Sequence, residues 1–167
     1  MSSLSILGIV HTGISLVAVA AGIACFIRHG AIDSRSRGGK LYFATTILTC
    51  LSGFFIFAHG GFGKPHALGV LTLIVLALAL VLERRVARGR AARVAMVAYS
   101  LSFYFHLIPA VTETATRLPA SSPLVASAES PILAAVDLLM FLVFLVGVRK
   151  QLRRPRQHVL RTSAAWP

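Results

Sequence analysis

Along this chain the charged residues withdraw to the flanks of five apolar runs, whose strict limits are 5–27, 42–58, 67–82, 94–111 and 132–148. Crossing the ~30 Å hydrocarbon core of a bilayer takes about 20 helical residues. The pattern therefore predicts five transmembrane helices near 4–27, 41–60, 66–83, 93–112 and 131–149. The third run is short, and reaches the needed length when His66 and Glu83 stand at the two interfaces. Residues 1–150 then form one all-α integral membrane bundle and 151–167 a basic tail. The first run is read as a retained span rather than a signal peptide, because no Lys or Arg precedes it and it is too long for a cleaved apolar region.

Composition sharpens this picture. Of the 167 residues, 56% are hydrophobic and the mean hydropathy is +0.79, well outside the range of soluble domains. The net charge of +12 raises the question of nucleic acid, yet the cations sit where topology signals sit. Apart from Lys64 and Arg117, they lie after the first span (Arg28, Arg35, Arg37, Lys40), after the third (Arg84, Arg85, Arg88, Arg90, Arg93) or after the fifth (Arg149, Lys150 and the tail). In a five-span chain these three segments share one side. An excess of Lys and Arg marks that side as cytoplasmic, which puts the N-terminus outside and the C-terminus inside. The cations then face anionic lipid headgroups. No basic, aromatic-interleaved domain supports nucleic-acid binding; the expected partners are the bilayer and either another membrane protein or a second copy of the chain.

With this topology the histidines fall together. His11 lies about two turns inside the outer end of the first span, His59 and His66 flank the outer turn HGGFGKPH, and His106 lies between one and two turns inside the fourth. Asp137, the acid set well inside a span, has a depth similar to His106. Positions three and four apart share a helix face, so Gly8, His11, Ser15, Ala18 and Gly22 form one stripe. Ala95, Tyr99, Ser102, His106 and Glu113 form a second, and Tyr42, Thr45, Thr49, Ser52 and His59 a third. Small and polar stripes are where membrane helices approach one another. Ionisable groups within spans are costly and need a compensating partner, so four histidines and an aspartate at one end point to a site. His29 and His158 are read as solvated among arginines. Glu83 is read as a partner of nearby arginines, Glu113 and Arg117 as an ion pair, and Ser130–Pro131 as the start of the fifth helix. Cys25 and Cys50 differ in depth by roughly 10 Å, which argues against a disulfide.

The runs GIVHTGISLVAVAAG, SRSRGGKLYFATTILTCLSGFFIF, GKPHALGVLTLIVLALAL and ARVAMVAYSLSFYFHLIPAVTETATRLP, spanning about residues 8–119, resemble the bacterial multispanning proteins grouped as domain of unknown function 2306. His11 matches that family's early first-span histidine. Gly39-Lys40 stands where the family has a His-Arg pair, which makes this a divergent member. The resemblance implies a small helical bundle and carries no activity with it.

Three chemistries suit the cluster. A transition metal (Zn, Cu or Fe) is the first expectation, with His11, His59, His66, His106 and Asp137 as ligands and Ser15, Tyr99, Ser102 and Glu113 behind them, for redox or hydrolytic work. A b-type haem held between His11 and His106, as in a quinol-linked electron carrier, is the second. The third is a non-catalytic membrane-complex subunit or a proton relay. Phosphate-binding, nucleophile-elbow and HExxH motifs do not occur.

Overall fold

In the computed structural model, which describes residues 5–57, 61–85, 89–119 and 121–153, the chain forms five helices: α1 (Ile6–His29), α2 (Arg37–Gly53), α3 (Lys64–Arg85), α4 (Arg90–Arg117) and α5 (Pro131–Arg153). The expected all-α class holds. Four of them, α1, α3, α4 and α5, are long and apolar enough to cross a membrane. His59, His158 and the tail beyond Arg153 lie outside the described residues.

The second helix departs most from its expected limits of 41–60. It starts at Arg37 because Ser36 caps it: the Ser36 hydroxyl accepts from the Gly39 N–H at 2.9 Å and donates to the Asp33 carbonyl at 2.8 Å, so the helix begins ahead of the apolar run. It ends at Gly53, where the Phe54 N–H is shared among the carbonyls of Cys50, Leu51 and Ser52. Such tightened bonding is how a helix closes its last turn. At 17 residues it is the shortest of the five. α1 closes on Gly30 in the left-handed conformation, φ 72°, whose N–H returns to the Phe26 carbonyl. α4 runs through Pro109 to Arg117, further than the expected 112. α5 starts as expected, with Pro131 first and the Ser130 hydroxyl accepting from the Ile132 N–H at 3.3 Å.

The helices alternate in direction. α1 pairs with α2 and α3 with α4 over the widest contacts, α2 joins the two hairpins through α3, and α1 touches α4 more narrowly. α5 leans on α4. Every link at one end of the bundle confirms the alternation. There the α1–α2 loop meets the end of α3 and the first turns of α4 through Ser34, Arg35, Glu83 and Tyr99, and Gln151 of α5 reaches the Gly30 carbonyl and Ser100. This basic end gathers two of the expected cationic segments and the start of the third. The other, the histidine end, carries the starts of α1, α3 and α5.

Packing inverts the rule for water-soluble proteins. The interior is mostly small or polar, with Ala18, Ala21, Gly22 and Cys25 from α1, Tyr42, Thr46 and Cys50 from α2, Ala79 from α3, and Ala95, Ala98, Tyr99 and Ser102 from α4, closed by the larger Leu76 and Phe103. A Cβ on Gly22 would meet the Phe103 ring at 2.5 Å, so α1 and α4 cross there because glycine leaves the room. Large side chains such as Ile9, Leu16, Ile23, Leu48, Ile74, Leu139 and Leu142 face outward. Each would gain roughly 1.5–3 kcal/mol by leaving water, so an apolar solvent must cover them. The protein is a membrane protein by this surface. Cys25 and Cys50 are both buried and free, as expected.

Candidate functional site

The histidine half of the bundle is built from two faces. On α1, His11 continues the small-residue face about two to three turns beyond Ala18 and Gly22, and its Nδ1 lies 2.9 Å from the Ser52 hydroxyl at the end of α2. Ser52 has a single hydroxyl hydrogen and donates it to the Thr49 carbonyl at 3.1 Å. With that hydrogen on the Thr49 carbonyl, the Ser52 oxygen is free to accept from a protonated His11 Nδ1, the arrangement that leaves Nε2 as a lone pair. Gly53 makes this possible, since a Cβ there would stand 3.1 Å from the His11 ring.

His106 on α4 is buried at 6% exposure, and its Nε2 has no hydrogen-bond partner among the described residues. Glu113 lies at the exposed end of α4. Toward the basic end, the His106 ring lies 6.3 Å from that of Tyr42. Tyr42 and Ser102 are fully buried and 2.8 Å apart. Ser102 donates to the Tyr99 carbonyl at 2.8 Å, so the Tyr42 hydroxyl is the donor to Ser102. Below them the Tyr99 hydroxyl donates to Glu83 Oε2 at 2.7 Å. The Ser34 hydroxyl donates to the same oxygen, and the Arg35 guanidinium lies 3.8 Å from Oε1. The result is a polar column along the inside of the bundle, from exposed Glu113 through buried groups to Glu83.

The structure divides the other expected site residues. His66 is buried at the start of α3 with its Nδ1 accepting from the Gly63 N–H at 3.3 Å. Phe57 and Phe62 clamp its ring, each at 5.2 Å. Asp137 stands elsewhere: the Tyr104 hydroxyl reaches its backbone carbonyl at 3.5 Å. Tyr104 and His106 are two residues apart, about 200° around α4. One faces α5 and the other faces α1 and α2, so similar depth did not bring Asp137 to the histidines. Among the described residues no three of His, Cys, Asp and Glu gather as a metal's ligand set.

The residues expected behind the ligands have other partners. Ser15 bonds the Thr12 carbonyl of its own helix, Tyr99 serves Glu83 and Ser102 serves Tyr42. Glu113 pairs with Arg117 as expected. Glu83 pairs with an arginine as expected, Arg35 of the α1–α2 loop, and also takes Ser34 of that loop and Tyr99 of α4, which the sequence pattern alone does not assign to it. The available signal was an acid at the inner edge of an apolar run, at the depth of a tyrosine on the next helix. At the opposite end Lys64 and Glu129 pair at 2.9 Å; the hydrogen bond and charge of Lys64 hold the Glu129 carboxyl below the usual carboxylate range. Between α4 and α5, Val125 is buried and its N–H bonds the Ala115 carbonyl, so this loop folds back onto α4.

Fold and site together define a small membrane-embedded helical bundle with a polar interior. No family model, curated protein or solved structure matches the chain.

Proposed function

We propose that this protein is a non-catalytic, five-span subunit of the bacterial cytoplasmic membrane, N-terminus outside, in which His11 and His106 take up and release protons at the outer face. α2 serves as the fifth crossing. Its 17 residues extend about 26 Å, from the capped turn at the basic end to the His11 contact at the other. The cations at the basic end face the cytoplasm and its anionic lipids. Kinship with domain of unknown function 2306 belongs to the same proposal, resting on His11 and the quoted runs.

One observation carries the reading: in a membrane interior the buried His106 Nε2 has no partner among the described residues, while half-buried His11 is held by Ser52 through Nδ1. A buried acceptor without a partner costs about 1–3 kcal/mol, and a proton with its hydration relieves that cost. Access is graded, from Glu113 with 56% of its side chain exposed through half-buried His11 to buried His106. Imidazole nitrogen NMR of the protein in nanodiscs tests the reading. Both rings should titrate, and His11→Ala should displace the His106 titration; rings that keep one protonation state across the accessible pH range sink it.

A second reading, a b-type haem between His11 and His106, is favoured by the same two imidazoles. A haem iron takes two axial imidazoles, and Ser52 holds the His11 Nδ1–H in the way an axial histidine's outer nitrogen is held. Bound there, the haem would supply one-electron transfer. A Soret band in the purified protein, lost on His11→Ala and His106→Ala, decides for this reading. A Zn, Cu or Fe ion without haem needs ligands beyond this pair, and elemental analysis of the same sample reads it out.

A further inference from the structure

We infer that the polar groups below His106 carry protons onward to the basic end, with Glu83 as the exchange point there, so that the chain conducts protons through the membrane rather than storing them at one face. The inference rests on the His11–His106 reading and extends it to residues that reading does not use: Tyr42, Ser102, Tyr99 and Glu83.

The placement of these groups carries it. Going from His106 to Tyr99 is seven residues, about 10 Å along α4, and hydrogen-bonded steps are about 2.8 Å. Three or four groups are needed to span that distance. Tyr42 and Ser102, both fully buried and bonded to each other, supply two of them. Waters are required at two breaks: between the His106 and Tyr42 rings, 6.3 Å apart, and between Ser102 and the Tyr99 hydroxyl, because Ser102 itself bonds the Tyr99 carbonyl. A bridging water is nearly as favourable as a direct bond. The Tyr99 hydroxyl then completes the line to Glu83 at 2.7 Å.

The proton count balances. A proton leaving the His106 imidazolium enters the water at the first break; each hydroxyl or water along the line accepts one proton on its oxygen and releases the one it held. Glu83 accepts the last as a carboxyl and delivers it to the aqueous face. One proton moves, the hydroxyls rotate back, and nothing is oxidised or reduced. Glu83 suits the task because it is an acid drawn into the bundle, its side chain 17% exposed, while its partner Arg35 is 62% exposed. The groups facing Glu83 are Arg35 and Ser34 from the α1–α2 loop and Tyr99 from α4; Asp33, in the same loop, also acts on Tyr99. The Ser34 and Tyr99 donors hold the ionised acceptor ready, and Arg35 keeps it in contact with water.

The experiment is proton flux into liposomes that contain the full chain and a trapped pH dye, driven by an imposed potassium diffusion potential. The wild type should exceed protein-free vesicles. Glu83→Gln and Tyr99→Phe should lower flux by about a hundredfold, the usual contribution of a positioned proton-transfer group. Glu83→Asp should retain part of it, and the lipid-facing Leu142→Ala should conduct as wild type. Elution profile and imidazole NMR spectra establish that each variant is folded. Glu83→Gln and Tyr99→Phe conducting like wild type, or wild type conducting no better than empty vesicles, overturns the inference. Imidazoles that titrate in a protein without flux leave the His11–His106 reading standing and end this one; imidazoles that never titrate end both.

Discussion

The two ends of the bundle treat their polar groups in opposite ways. At the basic end, Glu83 receives donors from two segments and Gln151 bridges Gly30 and Ser100. Toward the other end, Thr46 Oγ1, His66 Nε2, His106 Nε2 and Asp137 Oδ1 are buried without a partner among the described residues. An apolar surrounding penalises every unsatisfied group, so an end that satisfies its groups is built to hold helices together. An end that leaves them unsatisfied is built to meet something else, and stability is given up there for function.

Substitutions can break this contrast, and the largest effect belongs to the basic end. Gly39→Ala would place a Cβ 1.7 Å from the Asp33 carbonyl oxygen. Backbone must move, and the loss should reach about 3 kcal/mol or more, read as a lowered midpoint of thermal unfolding in detergent. Glu83→Ala comes next. It strands the Ser34 and Tyr99 hydroxyls, each worth about 1–3 kcal/mol when left unpaired, whereas Arg35→Gln, at an exposed pair, should cost under about 1 kcal/mol.

At the histidine end the sign should change. His106→Phe removes an unpartnered buried nitrogen and keeps the ring, so the unfolding midpoint should hold or rise while imidazole titration and proton flux are lost. A midpoint falling as far as that of Glu83→Ala would erase the difference between the two ends. Ser52→Ala is milder still and should cost about 1 kcal/mol while freeing the His11 tautomer, visible in the nitrogen spectrum. The smallest effect is at Lys64–Glu129. Because the folded carboxyl titrates below its ordinary value, the pair's contribution is present above that ordinary value and fades as pH falls through the folded one. Lys64→Gln should remove this small contribution at neutral pH, flatten the acid limb of stability, and leave stability unchanged below the folded value.

Much of the interior was legible in advance. The stripe Ala95, Tyr99, Ser102 and His106 is buried throughout, because helical periodicity alone places those positions on one face and lipid rejects polar side chains. Ala18 and Gly22 were equally readable as a contact surface. On α2, Tyr42 and Thr49 fell on the inner face as the pattern required, yet Thr46 rather than Thr45 is the fully buried threonine.

The sequence by itself determined the solvent, the number of helices, the gathering of cations at one end and the places of His11, His66 and His106 along their helices. All of these follow from hydropathy and a fixed rise per residue. Only the tertiary structure decided who faces whom. It set Asp137 beyond α4 from His106, gave Glu83 to Tyr99 and Ser34, and aimed Ser52 at His11. Depth is a one-dimensional property that each helix carries alone, whereas azimuth depends on which neighbour a helix packs against, and that choice is made by close-fitting contacts such as Gly22 on Phe103.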